Sequence, residues 1–193
     1  MEDPKAALVF YLTRGREALI WKTENLSEYD VRRPLVPTGT NLLGLLKHVT
    51  GVVAGYFGEC FGRPFPEPLP WMAEDAEPNA DMWATEDESR DHIVALYHRA
   101  WDHAEATIAA LPLDATGEVP WWPADRNRPT LHRVLIHMIA ETERHTGQAD
   151  IVRELVDGAA GARAEFSNLP DRDTAWWTAY HARLEQAARA ASG

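Results

Sequence analysis

The sequence holds a single cysteine, Cys60, so no disulfide can join two of its segments, and that scarcity fits a reducing compartment. Positive charge is also short. Nineteen Lys and Arg stand against 30 Asp and Glu, a net charge of −11, which argues against nucleic-acid phosphates and against an anionic membrane surface as partners. No apolar run approaches membrane-spanning length, and the start Met1-Glu2-Asp3-Pro4-Lys5 lacks the pattern of a signal peptide. The expectation is a cytoplasmic protein with no nucleic-acid and no membrane partner.

Strand-like alternation is missing as well, and helical periodicity takes its place. At 193 residues and 45% hydrophobic, the chain suits one domain with a sizeable core and is short for two, so 1–193 is read as one all-α unit with a core over 4–158. A first helix is predicted from about Pro4 to Asn25, with Leu8, Tyr11, Leu12 and Leu19 on one face. A second runs from about Thr40 to Phe61, capped by Thr38 or Thr40. A third follows the capping-box pattern Thr85-Glu86-Asp87-Glu88 and ends near Leu111. The fourth opens at Pro129-Thr130 and stops at Gly158. A shorter fifth covers about 173–190.

The second and third helices are joined by a proline-rich connection, Gly62 to Ala84. Its roughly 23 residues can span a helix of about 30 Å, at about 1.5 Å per helical residue, so these two helices can run parallel in a bundle with a long crossover. A connection of that length in a compact domain usually carries function.

The fourth helix is the informative one. At alternating three- and four-residue steps its inward stripe reads Leu131, Val134, Met138, Glu141, His145, Gln148, Val152, Leu155. The ends are apolar and the middle is not. A carboxylate, an imidazole and an amide at core positions would cost several kcal/mol if left unpaired. A divalent metal ion offsets that cost, because Glu141 and His145 at i, i+4 converge on one point. A salt bridge inside a polar core layer would also satisfy them.

The apolar face of the second helix carries one ionisable residue at its edge, His48. Alone it reads as a boundary histidine; beside Glu141 and His145 it supplies a third ligand. Three protein ligands and a vacant position are the mark of a catalytic rather than a structural site. His137, four residues before Glu141, fits a ligand or a supporting residue and is read as a boundary or supporting one; Gln148 is read as a second supporting residue, with contact to the metal left open for both.

The order His48 after Leu45-Leu46-Lys47, then Glu141-x-x-x-His145-x-Gly147-Gln148, resembles the DinB/YfiT-like superfamily. Many members carry His-x-x-x-His-x-Gly-Gln at the second motif. The Glu141 of this chain matches the mycothiol-dependent maleylpyruvate isomerase branch, whose metal triad is His, Glu and His. The phrases around Thr40–His48, Leu135–His145 and Ala149–Gly158 are similar to an actinobacterial subgroup, and the likeness spans about Val9 to Gly158. The isomerase has a separate C-terminal domain where this chain has one further helix.

The resemblance implies a four-helix bundle with a long crossover, often a homodimer, and Zn²⁺ or Ni²⁺ in a cleft. It also implies thiol chemistry, in which mycothiol or a similar low-molecular-weight thiol reacts with a small electrophile. Trp71, Trp83, Trp121 and Trp122, in the loops, are candidates for the electrophile's pocket and equally for loop-packing anchors. A hydrolase using metal-bound water, with Glu143 as the nearest extra carboxylate, and a non-catalytic metal- or ligand-binding protein are the alternatives.

Overall fold

A computed structural model describes residues 3–192; Met1 and Glu2, part of the start discussed above, and Gly193 lie outside the described residues. Among the described residues there are six α-helices and no β-strand, only isolated bridges such as Thr116 to Thr130. The all-α expectation holds. No helix is long and apolar enough to cross a membrane.

Four long helices make the bundle: α1 (Pro4–Trp21), α3 (Leu42–Phe57), α4 (Arg90–Ala110) and α5 (Leu131–Asp157). Between the first two lies a short α2 (Glu28–Arg32), which the sequence reading leaves as loop. Five residues are too few for a periodic signal; Ser27 caps it and Val31 anchors it in the core. A final α6 (Thr174–Ala191) follows, with no buried residue.

Side-chain ties give the helix directions. Lys47 near the start of α3 pairs with Glu88 just before α4, while Arg63 just after α3 bonds Thr107 near the end of α4. Those two helices therefore run parallel, as the crossover length predicts. His48 faces His145 and Tyr56 faces His137, so α5 is antiparallel to α3. Thr146 and Arg153 of α5 bond the carbonyls of Gly15 and Lys22, so α1 runs along α5 in the same direction. Leu45, Leu46, Val49, Val53 and Phe57 of α3 meet Tyr97 and Trp101 of α4 and Leu131, Val134 and Met138 of α5 in one core.

Helix boundaries show what propensity misses. The N-cap of α3 is Asn41 rather than Thr38 or Thr40. Its carbonyl oxygen accepts from the Gly44 amide at 2.8 Å while its NH₂ donates to the Met82 carbonyl at 3.1 Å, so one side chain caps the helix and ties down the crossover. A Cβ on Gly44 would collide with that same Met82 carbonyl, which explains a glycine in the first turn. Ser89 caps α4, and the Thr85–Glu88 turn lies outside the helix. The first helix ends at Trp21, not Asn25. Arg153 donates to the carbonyls of Lys22 and Glu24, taking acceptors that a longer helix would have kept. Thr130 and Gly158 bound α5 as expected.

Two stripe assignments need correction. Leu155 is 58% exposed, and the inward face of α5 passes to Val152 and Arg153. A straight helix drifts by about 20° per heptad against a strict 3.5-residue repeat, so a seven-turn stripe rotates off the core. On α3, Lys47 is 2% exposed and more deeply buried than His48, so His48 is not the one ionisable residue of that packed helix.

The Lys47 ammonium donates to Glu88 at 2.8 Å and to the Trp83 carbonyl at 2.9 Å, and lies 4.7 Å from the Trp71 ring centroid. Burial pushes the Glu88 carboxyl up, but the bonds from Lys47 and the Thr85 amide outweigh it and leave Glu88 below its usual range. Glu88→Gln should therefore cost about 2 kcal/mol in urea unfolding near pH 7, since it leaves a buried ammonium without its anion. The folded-state value is depressed, so this contribution is complete above the unfolded value of about 4.3 and fades as pH falls through the lower folded value. The stability gap between wild type and Glu88→Gln should accordingly narrow below about pH 4. A gap that stays constant from pH 7 to 3 would contradict the ion pair.

Candidate metal centre

The cleft between α3 and α5 gathers His48, Glu141 and His145, with one potential ligand atom of each within 4.8 Å of the others. One turn of α5 separates Glu141 from His145, and the antiparallel α3 brings His48 across from both. The His48 Nε2 lies 3.7 Å, and the His145 Nε2 3.0 Å, from the same Glu141 oxygen, Oε1. The two imidazoles meet edge to face, centroids 4.6 Å apart. His145 is buried; His48 and Glu141 are partly exposed, so the cleft admits solvent.

The other nitrogen of each ring is engaged. His48 Nδ1 is 2.6 Å from Asp81 Oδ2, and His145 Nδ1 is 2.8 Å from Gln148 Oε1. A carboxylate and an amide oxygen only accept, so each Nδ1 is placed to donate outward and each Nε2 is the nitrogen turned towards Glu141, the His145 Nε2 within hydrogen-bond distance of its carboxylate. For Glu141, burial pushes the carboxyl up, but the His145 hydrogen bond and the charges of His145 and His48 bring it below the usual range. Two imidazole Nε2 atoms and a carboxylate oxygen thus converge on one point. That donor set suits a divalent ion of intermediate softness, with positions left for an exogenous ligand.

Asp81 escapes any sequence signal. It sits in the crossover, 33 residues from His48, among other acidic residues without periodicity. The unusual length of that connection is the only hint. Carboxylates that fix a ligating histidine's tautomer typically matter about 10- to 100-fold in metal affinity. Asp81→Ala is expected to weaken divalent-metal binding by that factor, about 10- to 100-fold, with the helical signal unchanged. Competition titration with a chromophoric chelator measures it, and an unchanged affinity would remove Asp81 from the site.

The remaining candidates are placed as follows. His137 lies one turn before Glu141, its ring against Tyr56 and Trp122 at 4.8 and 5.2 Å, and burial lowers its pKa. Trp71 stacks on the Lys47 ammonium. Trp83 is exposed and meets Lys47 through its carbonyl. Trp121 and Trp122 both donate their indole N–H to the Tyr56 hydroxyl, at 3.1 and 2.9 Å. Glu143 is turned towards α1, where a Cβ on Gly15 would touch its carboxylate. Cys60 is buried, and burial followed by the charge of Glu59 pushes its thiol up to about 12, which leaves it unreactive.

A cavity of about 570 Å³ lies between α3, the crossover and Trp121. Val52 and Tyr56, one and two turns beyond His48 on the same helix, are part of its wall.

The fold and site are those of an all-α bundle with a metal-competent His-Glu-His group between α3 and α5 and, further along α3, a cavity of small-molecule size. More particularly, the chain belongs to the mycothiol S-transferase family, whose family model matches residues 7–158. That match ends at the Gly158 cap of α5 and leaves α6 outside it. A comparison with curated proteins finds none that matches.

Proposed function

We propose that the protein is a metal-dependent S-transferase that couples a low-molecular-weight thiol of the mycothiol type to a small electrophile. His48, Glu141 and His145 would hold the ion, Zn²⁺ or Ni²⁺, and a bound ion would supply the charge that keeps the incoming sulfur as thiolate. The observation carrying this reading is the convergence of the two Nε2 atoms with the Glu141 carboxylate. Asp81 and Gln148 hold the two rings in place, and the family match supports the thiol. Cys60 adds a negative reason: a buried thiol raised to about 12 is no nucleophile at neutral pH, so the reacting sulfur comes from outside the chain.

Neither extra carboxylate serves the hydrolase alternative as a free base, since Glu143 faces α1 and Asp81 is committed to His48. The deciding experiment is consumption of mycothiol with an electrophile, followed before and after chelation and after metal is restored. Transfer that requires the ion supports the reading, and transfer indifferent to chelation defeats it.

A further inference from the structure

The cavity whose wall begins one turn beyond His48 on α3 has a hydrogen-bond donor in an unusual state. The Tyr56 hydroxyl accepts from two indoles at once, which occupies both of its acceptor positions. Its own proton therefore points away from Trp121 and Trp122, and among the described residues it has no protein acceptor. Two incoming N–H bonds also polarise the O–H and strengthen it as a donor. Tyr56 is itself part of the cavity wall.

The rest of the wall is apolar or acidic. Val52, Phe65, Leu69 and Met72 give it hydrocarbon surface, and the charged side chains lining it are Glu59 and Glu67. Glu67 is paired with Arg99 at 2.5 Å, so the uncompensated charge is that of Glu59. Such a cavity repels a carboxylate and accepts an uncharged group of modest size, in the volume range of small-molecule sites.

From this we infer that the cavity is the electrophile's site, and that it selects an uncharged, largely apolar electrophile whose acceptor oxygen takes the Tyr56 hydrogen bond while Glu59 excludes anions. The inference rests on the transferase reading for the word electrophile. Its binding chemistry stands on the cavity alone. In the reaction, charge that develops on the acceptor oxygen as sulfur attacks would meet a donor already in place.

The test uses unreactive probes with full-length protein: 1,3-dinitrobenzene, which is neutral, and 3,5-dinitrobenzoate, its anionic counterpart, followed by calorimetry. The neutral probe is expected to bind about tenfold more tightly, the scale of one charge repelled across a partly solvated cavity. Glu59→Gln, an exposed change that spares the core, should shrink that gap to about twofold at most, on the same electrostatic ground. Tyr56→Phe should weaken the neutral probe by about fivefold, the loss of one hydrogen bond. Equal binding of the two probes, a gap unmoved by Glu59→Gln, or full affinity in Tyr56→Phe would each overturn the inference. Mycothiol consumption is measured in parallel on metal-loaded protein. Selective probe binding without any thiol transfer would defeat the transferase reading and leave the cavity's selectivity intact.

Discussion

Replacing His145 with alanine is expected to lower divalent-metal affinity by about 100- to 1000-fold, one ligand's share of the free energy that binds an ion to a small protein site. His48→Ala should do the same. Neither should unfold the bundle, since the helices are held by a core of Leu, Val, Tyr and Trp side chains in which the triad has no part. Glu141 makes the sharper case. Both imidazoles address its Oε1, so the carboxylate arm must reach across the cleft from α5. Glu141→Asp shortens that arm and should lose most of the affinity, whereas Glu141→His keeps the reach and should retain metal. Metal analysis and circular dichroism on these four variants and on Glu141→Ala give the answer. A Glu141→Ala protein that keeps its metal while Glu141→His loses it would show that the carboxylate is not a ligand.

The second large effect concerns the thiol. If the sulfur binds the ion as thiolate, each binding event releases a proton. Affinity should then rise about tenfold per pH unit while the pH stays below the free thiol's own pKa of about 8.5. The sign follows from linkage: fewer protons in solution favour the side of the equilibrium that has released one. Calorimetry of mycothiol against metal-loaded protein at pH 6.5 and 7.5 should show that step, with a heat that depends on the buffer's ionisation enthalpy. Metal-stripped protein should show no binding. Equal affinity in loaded and stripped protein would point instead to a binder that holds the thiol by its sugars alone.

Much of this site is legible in the sequence because it lies on helices. Glu141 and His145 interrupt an apolar stripe at helical spacing, and His48 sits on the edge of another, so period alone places all three on facing surfaces. What supports them is not legible. Asp81 and the Trp83 carbonyl come from a crossover with no period, and their partners His48 and Lys47 are found only when that crossover folds back over α3. Lys47 illustrates the limit, since a lysine in an apolar run reads as snorkelling to solvent, yet this one is held inside by Glu88 and Trp71. The Asn41 cap was hidden for the same reason. Thr38, Thr40 and Asn41 all offer capping side chains in a row, and the contact that marks out Asn41 comes from Met82, 41 residues away.

The crossover fastens to α3 at Lys47 and His48, adjacent residues with opposite tasks, one structural and one turned towards Glu141 and His145. A local opening that lifts Asp81 off His48 would weaken metal binding, so by thermodynamic reciprocity a bound ion must suppress that opening by the same factor. The ion would thereby act as a lock on a segment it does not touch. Backbone amides and protease-sensitive bonds around Asp81 should become about 10- to 100-fold better protected on loading, while those in the α1 and α4 core stay unchanged. Exchange rates in this one connection would then report metal occupancy in a protein with no chromophore at its metal site.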